Sequence, residues 1–218
     1  MGSNSSTQAE VPYPLSSAKS LVEDTVAKEA PSAREAPAPA PASPKFVGTW
    51  KEPEEPFFRG FWNRLLQMLA RFAPGATSLR VWLHRARGVR IGKGCWIGYD
   101  VVFDTASPNL ITIEDGASIS MRATIIAHFK EFRGVRIGRE VFIGPGAIIL
   151  PNVSIGDGSV IKAGSVVAQS IPPNTVVEGN PAVAVARCEI PFAQDVSLKE
   201  FSRGLRPLKR PDTGVEKK

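Results

Sequence analysis

Histidine is scarce in this chain: His84 and His128 are the two among 218 residues. Two histidines cannot supply a three-histidine zinc centre, so no metal is expected. Cysteine is equally rare. Cys95 and Cys188 stand far apart, make no CxxC and outline no disulfide framework, which points to a reducing, cytoplasmic setting. Long apolar runs are missing too, and no basic segment followed by an apolar one opens the chain. The expectation is a chain that neither spans a membrane nor carries a secretory signal.

What is present begins with a net charge of +6, concentrated in part at the C-terminal end. It suits a nucleotide-bearing cofactor, an anionic membrane surface or simply a solvated basic tail; a nucleic-acid partner is not expected. Residues 1–44, ending in REAPAPAPASP, are rich in Pro, Ala and Ser. Such a stretch buries too little apolar surface to offset its ordering entropy and reads as a disordered tail.

The stretch Ile137 to Val167 has a period of six. Ile137, Ile143, Ile149, Ile155, Ile161 and Val167 lead successive hexads, and Gly138, Gly144 and Gly156 each follow a lead. A small or β-branched residue sits four places after the lead, at Val141, Ala147, Val153, Ser159 and Ser165. Three hexads make one triangular coil with the leads inside and glycines at the corners; stacking coils buries a continuous aliphatic ladder. Earlier leads are Ile91, Ile97 and Phe103, then Ile113, Ile119 and Ile125. The fold class expected is mainly β, a left-handed parallel β-helix of about four to five coils. Its phase slips twice, around residues 105–112 and 131–136, and such insertions emerge as surface loops that commonly carry a site.

Ahead of the repeats, FFRGFWNRLLQMLARFAPG places Phe58, Phe61, Trp62, Leu65, Leu69 and Phe72 at threes and fours, with arginines between, and Pro74-Gly75 ends it. This predicts an amphipathic helix. Packing of its apolar face over the β-helix end or a neighbouring subunit is the expected role, with peripheral membrane contact the alternative. The organisation expected is 1–44 tail, 45–84 linker and helix, 85–187 β-helix, 188–218 basic C-terminal tail.

The segments IIAHF and GVRIGREVFIGPGAIILPNVSIGDGSVIKAGSVVAQSIPPNTVVEGNPA, with the terminator IPPNT-x-x-x-GNPA, closely resemble the hexapeptide-repeat acyltransferases, especially the galactoside, maltose and capsular-sugar O-acetyltransferase branch. The resemblance covers roughly Ile91 to Arg187. It implies a homotrimer with sites between adjacent β-helices, acetyl-CoA as acyl donor and a carbohydrate or related acceptor. It also implies a catalytic histidine just before a loop, and His128 is the residue there. Acyl transfer to a hydroxyl needs a base near neutral pH, and histidine titrates there unaided.

For the donor, the matching places are Gly144, Pro145, Ala163, Gly164, Ala168, Gln169 and Arg187. Relatives often have Thr-Lys where Ala168-Gln169 stand, and Lys162 is a candidate to replace the missing phosphate-pairing charge. Candidate acceptor residues are Asp104, Asn109, Glu131 and Arg133, all on the two insertions. Cys95 falls at a small repeat position with no histidine in register, which makes it structural rather than an acyl carrier. O- and N-acylation share this mechanism and stay open, as does a catalytically silent scaffold.

Overall fold

Two-residue strands build most of the molecule. The computed structural model describes residues 56–128 and 134–208. The first coil comprises β1 (Arg90–Ile91), β2 (Trp96–Ile97) and β3 (Val102–Phe103), and the second β4 (Ile111–Ile113), β5 (Ser118–Ile119) and β6 (Thr124–Ile125). The third holds β7 (Val135–Ile137), β8 (Phe142–Ile143) and β9 (Ile148–Ile149), and the fourth β10 (Ser154–Ile155), β11 (Val160–Ile161) and β12 (Val166–Val167). Ile171, bridged to Ile155, and β13 (Thr175–Glu178) begin a fifth. Corresponding strands stack in parallel into three sheets, β1-β4-β7-β10, β2-β5-β8-β11-β13 and β3-β6-β9-β12. This is a parallel β-solenoid, consistent with the left-handed β-helix expected.

Register explains the six-residue period. Ile91, Ile113, Ile137 and Ile155 pair in sequence, as do Phe103, Ile125, Ile149 and Val167. The isoleucine leads from Ile97 to Ile161 are buried. Each fully buried aliphatic side chain is worth roughly 1.5–3 kcal/mol, and no single coil could bury its own ladder. The corner glycines serve two different needs. A Cβ on Gly144 would lie 2.6 Å from the backbone nitrogen of Ala163 in the next coil, so close approach of the coils demands glycine there. Gly164 has φ +68° and nothing within 4 Å of a built Cβ, so its conformation demands it.

The N-terminal end of the solenoid sets a distinct problem. Each coil's N–H groups donate to the carbonyls of the following coil, for example Gly92 N to Ile113 O and Val102 N to Ala123 O. The carbonyls of the first coil therefore have no preceding coil to serve. Helices α1 (Phe57–Phe72) and α2 (Leu79–Ala86) supply the donors. Asn63 Nδ2 donates to Thr105 O at 2.9 Å and Gln67 Nε2 to Val101 O at 3.0 Å. Arg80, buried, donates to Ile97 O and Ala73 O, and its guanidinium lies 4.0 Å from the Tyr99 ring centroid. Arg85 donates to Gly92 O at 2.6 Å.

This overturns one expectation. The helix does cover the β-helix end, but its buried face is Gly60, Asn63, Gln67 and Ala70, while Phe58, Phe61, Trp62, Leu69 and Phe72 are exposed. The carbonyls at the first coil need donors that an aromatic face cannot offer, and each one left buried and unpaired would cost about 1–3 kcal/mol.

His84 on α2 is completely buried, its ring edge-on to Phe103 with centroids 4.6 Å apart. Burial first, then the positive charges of Arg87 and Arg80, lower its pKa from 6.5 to about 3. The unfolded chain therefore takes up a proton near pH 6.5 that the folded chain refuses. Stability is whole above that pH and falls by about 1.4 kcal/mol per unit as pH drops toward 3. Between pH 6.5 and 4.5, urea unfolding should show a loss of about 2–3 kcal/mol that is missing from His84→Gln.

Residues 188–208 of the expected C-terminal tail are folded instead. β14 (Val183–Cys188) turns antiparallel onto β13, and α3 (Leu198–Arg203) and β15 (Leu205–Pro207) follow, β15 pairing with β14. Phe142, Phe192 and Phe201 stack in succession, with centroids 4.9 and 4.8 Å apart, against the outward face of the second sheet. Residues 1–44 lie outside the described residues, as does 45–55 of the linker.

Candidate active site

The first insertion begins at Asp104, one residue past β3, and His128 stands three past β6 on the neighbouring coil. Because β3 and β6 pair in register, both leave the solenoid at the same corner. His128 Nδ1 lies 2.5 Å from Asp104 Oδ2. The Asp104 side chain is 1% exposed and that of His128 is 43% exposed. Four backbone N–H groups also point at the carboxylate: Ala106 and Ser107 donate to Oδ1 at 2.9 Å, and Ala127 and His128 to Oδ2 at 2.8 and 3.0 Å. Burial alone would raise the Asp104 pKa. The hydrogen bonds from Ser107, His128 and Ala127 outweigh it, holding the carboxyl below its usual range.

An ionised carboxylate can only accept. In the neutral ring Nδ1 of His128 therefore carries the proton of the shared hydrogen bond, and the lone pair falls on Nε2. Such an arrangement can serve chemically as a base, since the buried carboxylate orients the ring and would stabilise an imidazolium. Asp104, expected as an acceptor contact, is instead the partner that orients His128.

The repeats themselves match a family model described as bacterial transferase hexapeptide (six repeats), over residues 134–169. YvoF of Bacillus subtilis (strain 168), which bears an acetyltransferase name, is 35% identical over 132 residues, spanning 58% of this chain and 76% of YvoF. The chain belongs to the hexapeptide-repeat transferase family. Serine acetyltransferase of Salmonella typhimurium is 35% identical over 131 residues, 58% of this chain but 46% of that enzyme, so the chain spans about half the length of that curated relative. Among solved structures, a galactoside acetyltransferase in complex with coenzyme A superimposes with TM-score 0.45 at 25% identity, over 60% of this chain and 80% of that one.

In this hexapeptide-repeat transferase the expected donor residues fall at different corners. Gly144 and Pro145 follow β8, and Lys162, Ala163 and Gly164 follow β11, stacked on one corner through Gly144 N to Ile161 O and Gly164 N to Pro145 O. Ala168 and Gln169 follow β12 and share the corner that carries Asp104 and His128 at the other end of the third sheet. Arg187 sits on β14 opposite Thr175 and donates to Pro173 O at 3.4 Å, away from both groups. Lys162 is ion-paired with Glu178, so its charge is already engaged. Asn109 is exposed on the 3-10 turn Pro108–Leu110, and Glu131 and Arg133 lie outside the described residues.

Sequence reasoning missed the network beneath Asp104 and His128. Buried Arg87 donates to Asp104 O at 3.0 Å, to Asn63 Oδ1 at 3.0 Å and to Gln67 Oε1. Polar residues on the face of α1 opposite its aromatics were the available signal. Both thiols are buried. Cys95 Sγ donates to Glu114 O and Cys188 Sγ to Gly158 O, and burial pushes both pKa values up, which leaves neither as a nucleophile at neutral pH. Among the described residues no cluster of three His, Cys, Asp or Glu side chains could hold a metal ion.

Proposed function

We propose that the chain is a CoA-dependent acyltransferase that moves an acetyl group from acetyl-CoA to a carbohydrate hydroxyl, with His128 as general base. The observation that carries this reading is the Asp104–His128 pair, in which a buried carboxylate engages Nδ1 of a part-exposed imidazole and so puts the lone pair of the neutral ring on Nε2. Nε2 takes the hydroxyl proton as the acceptor oxygen attacks the thioester carbonyl. Asp104 stabilises the resulting imidazolium. When the tetrahedral intermediate collapses and the C–S bond breaks, His128 returns the proton to the thiolate, giving the acetyl ester and free thiol.

The donor corner fits an extended chain lying on backbone: Gly146 and Gly164 have nothing within 4 Å of a built Cβ. The corner of Gly144 and Gly164 precedes β9 and β12, whereas His128 follows β6, so the two lie at different corners of the solenoid. That separation supports a homotrimer in which one copy's donor corner faces the next copy's His128. Two unpaired thiols suit a cytoplasmic setting.

The test is thiol release from acetyl-CoA by the purified chain with galactosides, maltose, amino sugars and serine, the last because serine acetyltransferases are among the relatives. Release dependent on a sugar lacking an amine supports the reading. Dependence on an amino sugar or serine keeps acyl transfer but overturns the carbohydrate hydroxyl. Neither release nor CoA binding would leave a scaffold.

A further inference from the structure

We propose that the outward face of α1, with Leu79 and Trp82 of α2, lies in the headgroup region of an anionic phospholipid bilayer. On α1, Phe57, Phe58, Phe61, Trp62, Met68, Leu69 and Phe72 are each at least half exposed, and Trp82 is 60% exposed. At 3.6 residues per turn these α1 positions form one stripe opposite the buried Asn63–Gln67 face. That buried face is fully occupied by the carbonyls of the first coil, so the helix cannot roll to hide its aromatics without breaking those bonds.

Charge selects the occupant. Between Glu55 and Asp100 the chain holds no acidic residue, while Arg59, Arg64, Arg71, Arg80, Arg85, Arg87, Arg90 and Lys93 fall there. Arg59 borders one side of the aromatic stripe, and Arg64 and Arg71 border the other. An aromatic face edged by arginines is what an interfacial helix needs: rings at the headgroup level and guanidiniums reaching the phosphates. A second copy fits poorly, since a twofold contact would set the bordering arginines against their equivalents, while Asp100, the next acidic residue along the described chain, is already paired with Arg71. Arg71 is ion-paired with Asp100 at 2.6 Å, while Arg59, Arg85 and Arg90 present their side chains to solvent.

The experiment is co-sedimentation of the full chain with phosphatidylcholine vesicles, with and without phosphatidylglycerol, at low and high salt. Binding should require phosphatidylglycerol, weaken with salt, and fall at least about tenfold in Arg59→Glu and in Phe58→Glu/Trp62→Glu, because these change an exposed charge and exposed rings. The melting temperature of each variant should stay close to that of the parent. Absent binding, or binding indifferent to both variants, overturns the proposal. So does a shift of oligomeric state in Phe58→Glu/Trp62→Glu without loss of vesicle binding, which would assign the face to a second copy. The readout needs no acyl transfer, so it stands apart from the reaction assigned to the site.

Discussion

Acceptor-dependent thiol release should fall by about 10²–10⁴ in His128→Ala, and Asp104→Asn should lose nearly as much, because a base contributes on that scale only in the correct tautomer. Asparagine in place of Asp104 turns an NH₂ group toward one of two donor pairs, Ala106 and Ser107 or Ala127 and His128. If it faces His128, the ring must offer Nδ1 as acceptor and carry its proton on Nε2. The base is then occupied where it should be free. The double variant should be no slower than His128→Ala, since two residues acting as a unit are not additive. The loss should appear in kcat, with KM for acetyl-CoA little changed, because neither side chain lies at the donor corner. A drop in KM-related affinity alone, with kcat intact, would remove Asp104 from the reaction.

Much of this arrangement is written in the repeat, and the remainder depends on what the repeat meets at its ends. The leads specify the solenoid because a side chain at a fixed hexad position has one place to go, inward onto its equivalent in the next coil. The place of His128, three residues past β6 and just ahead of the second insertion, could be read directly from the sequence. Asp104 could be assigned to the first insertion but not to His128. Their sequence separation is 24 residues, and only the register of β3 on β6 joins them.

The facing of α1 was the larger misreading. Periodicity shows that a helix has two faces, not which one is covered. The deciding fact was the row of carbonyls at the first coil, which a hydrophobicity pattern does not record. The same holds for 188–208, where few apolar residues predict a fold, yet Phe192 and Phe201 suffice once Phe142 offers a ring on the outer sheet.

Replacing Arg87 by Met should destabilise the chain by about 3–5 kcal/mol, the range for removing one member of a buried charged network. Arg87 is 6% exposed, and its guanidinium meets the carbonyls of Asn63, Phe103 and Asp104, the amide oxygens of Asn63 and Gln67, and Nδ1 of His84. Burial lowers its pKa to about 10, with Asp104 pulling the other way, so it stays charged at neutral pH. Methionine replaces the aliphatic stem but leaves those acceptors without a donor, and each orphaned group costs about 1–3 kcal/mol. The His84 ring also loses the positive charge beside it. Its acid sensitivity should therefore weaken in Arg87→Met, so that the stability lost between pH 6.5 and 4.5 is smaller than in the parent even though the starting stability is lower. Urea midpoints at the two pH values separate these effects. If the midpoint at neutral pH barely moved, the carbonyls at the first coil would be satisfied without Arg87, and the reason given for the buried polar face of α1 would fail with it.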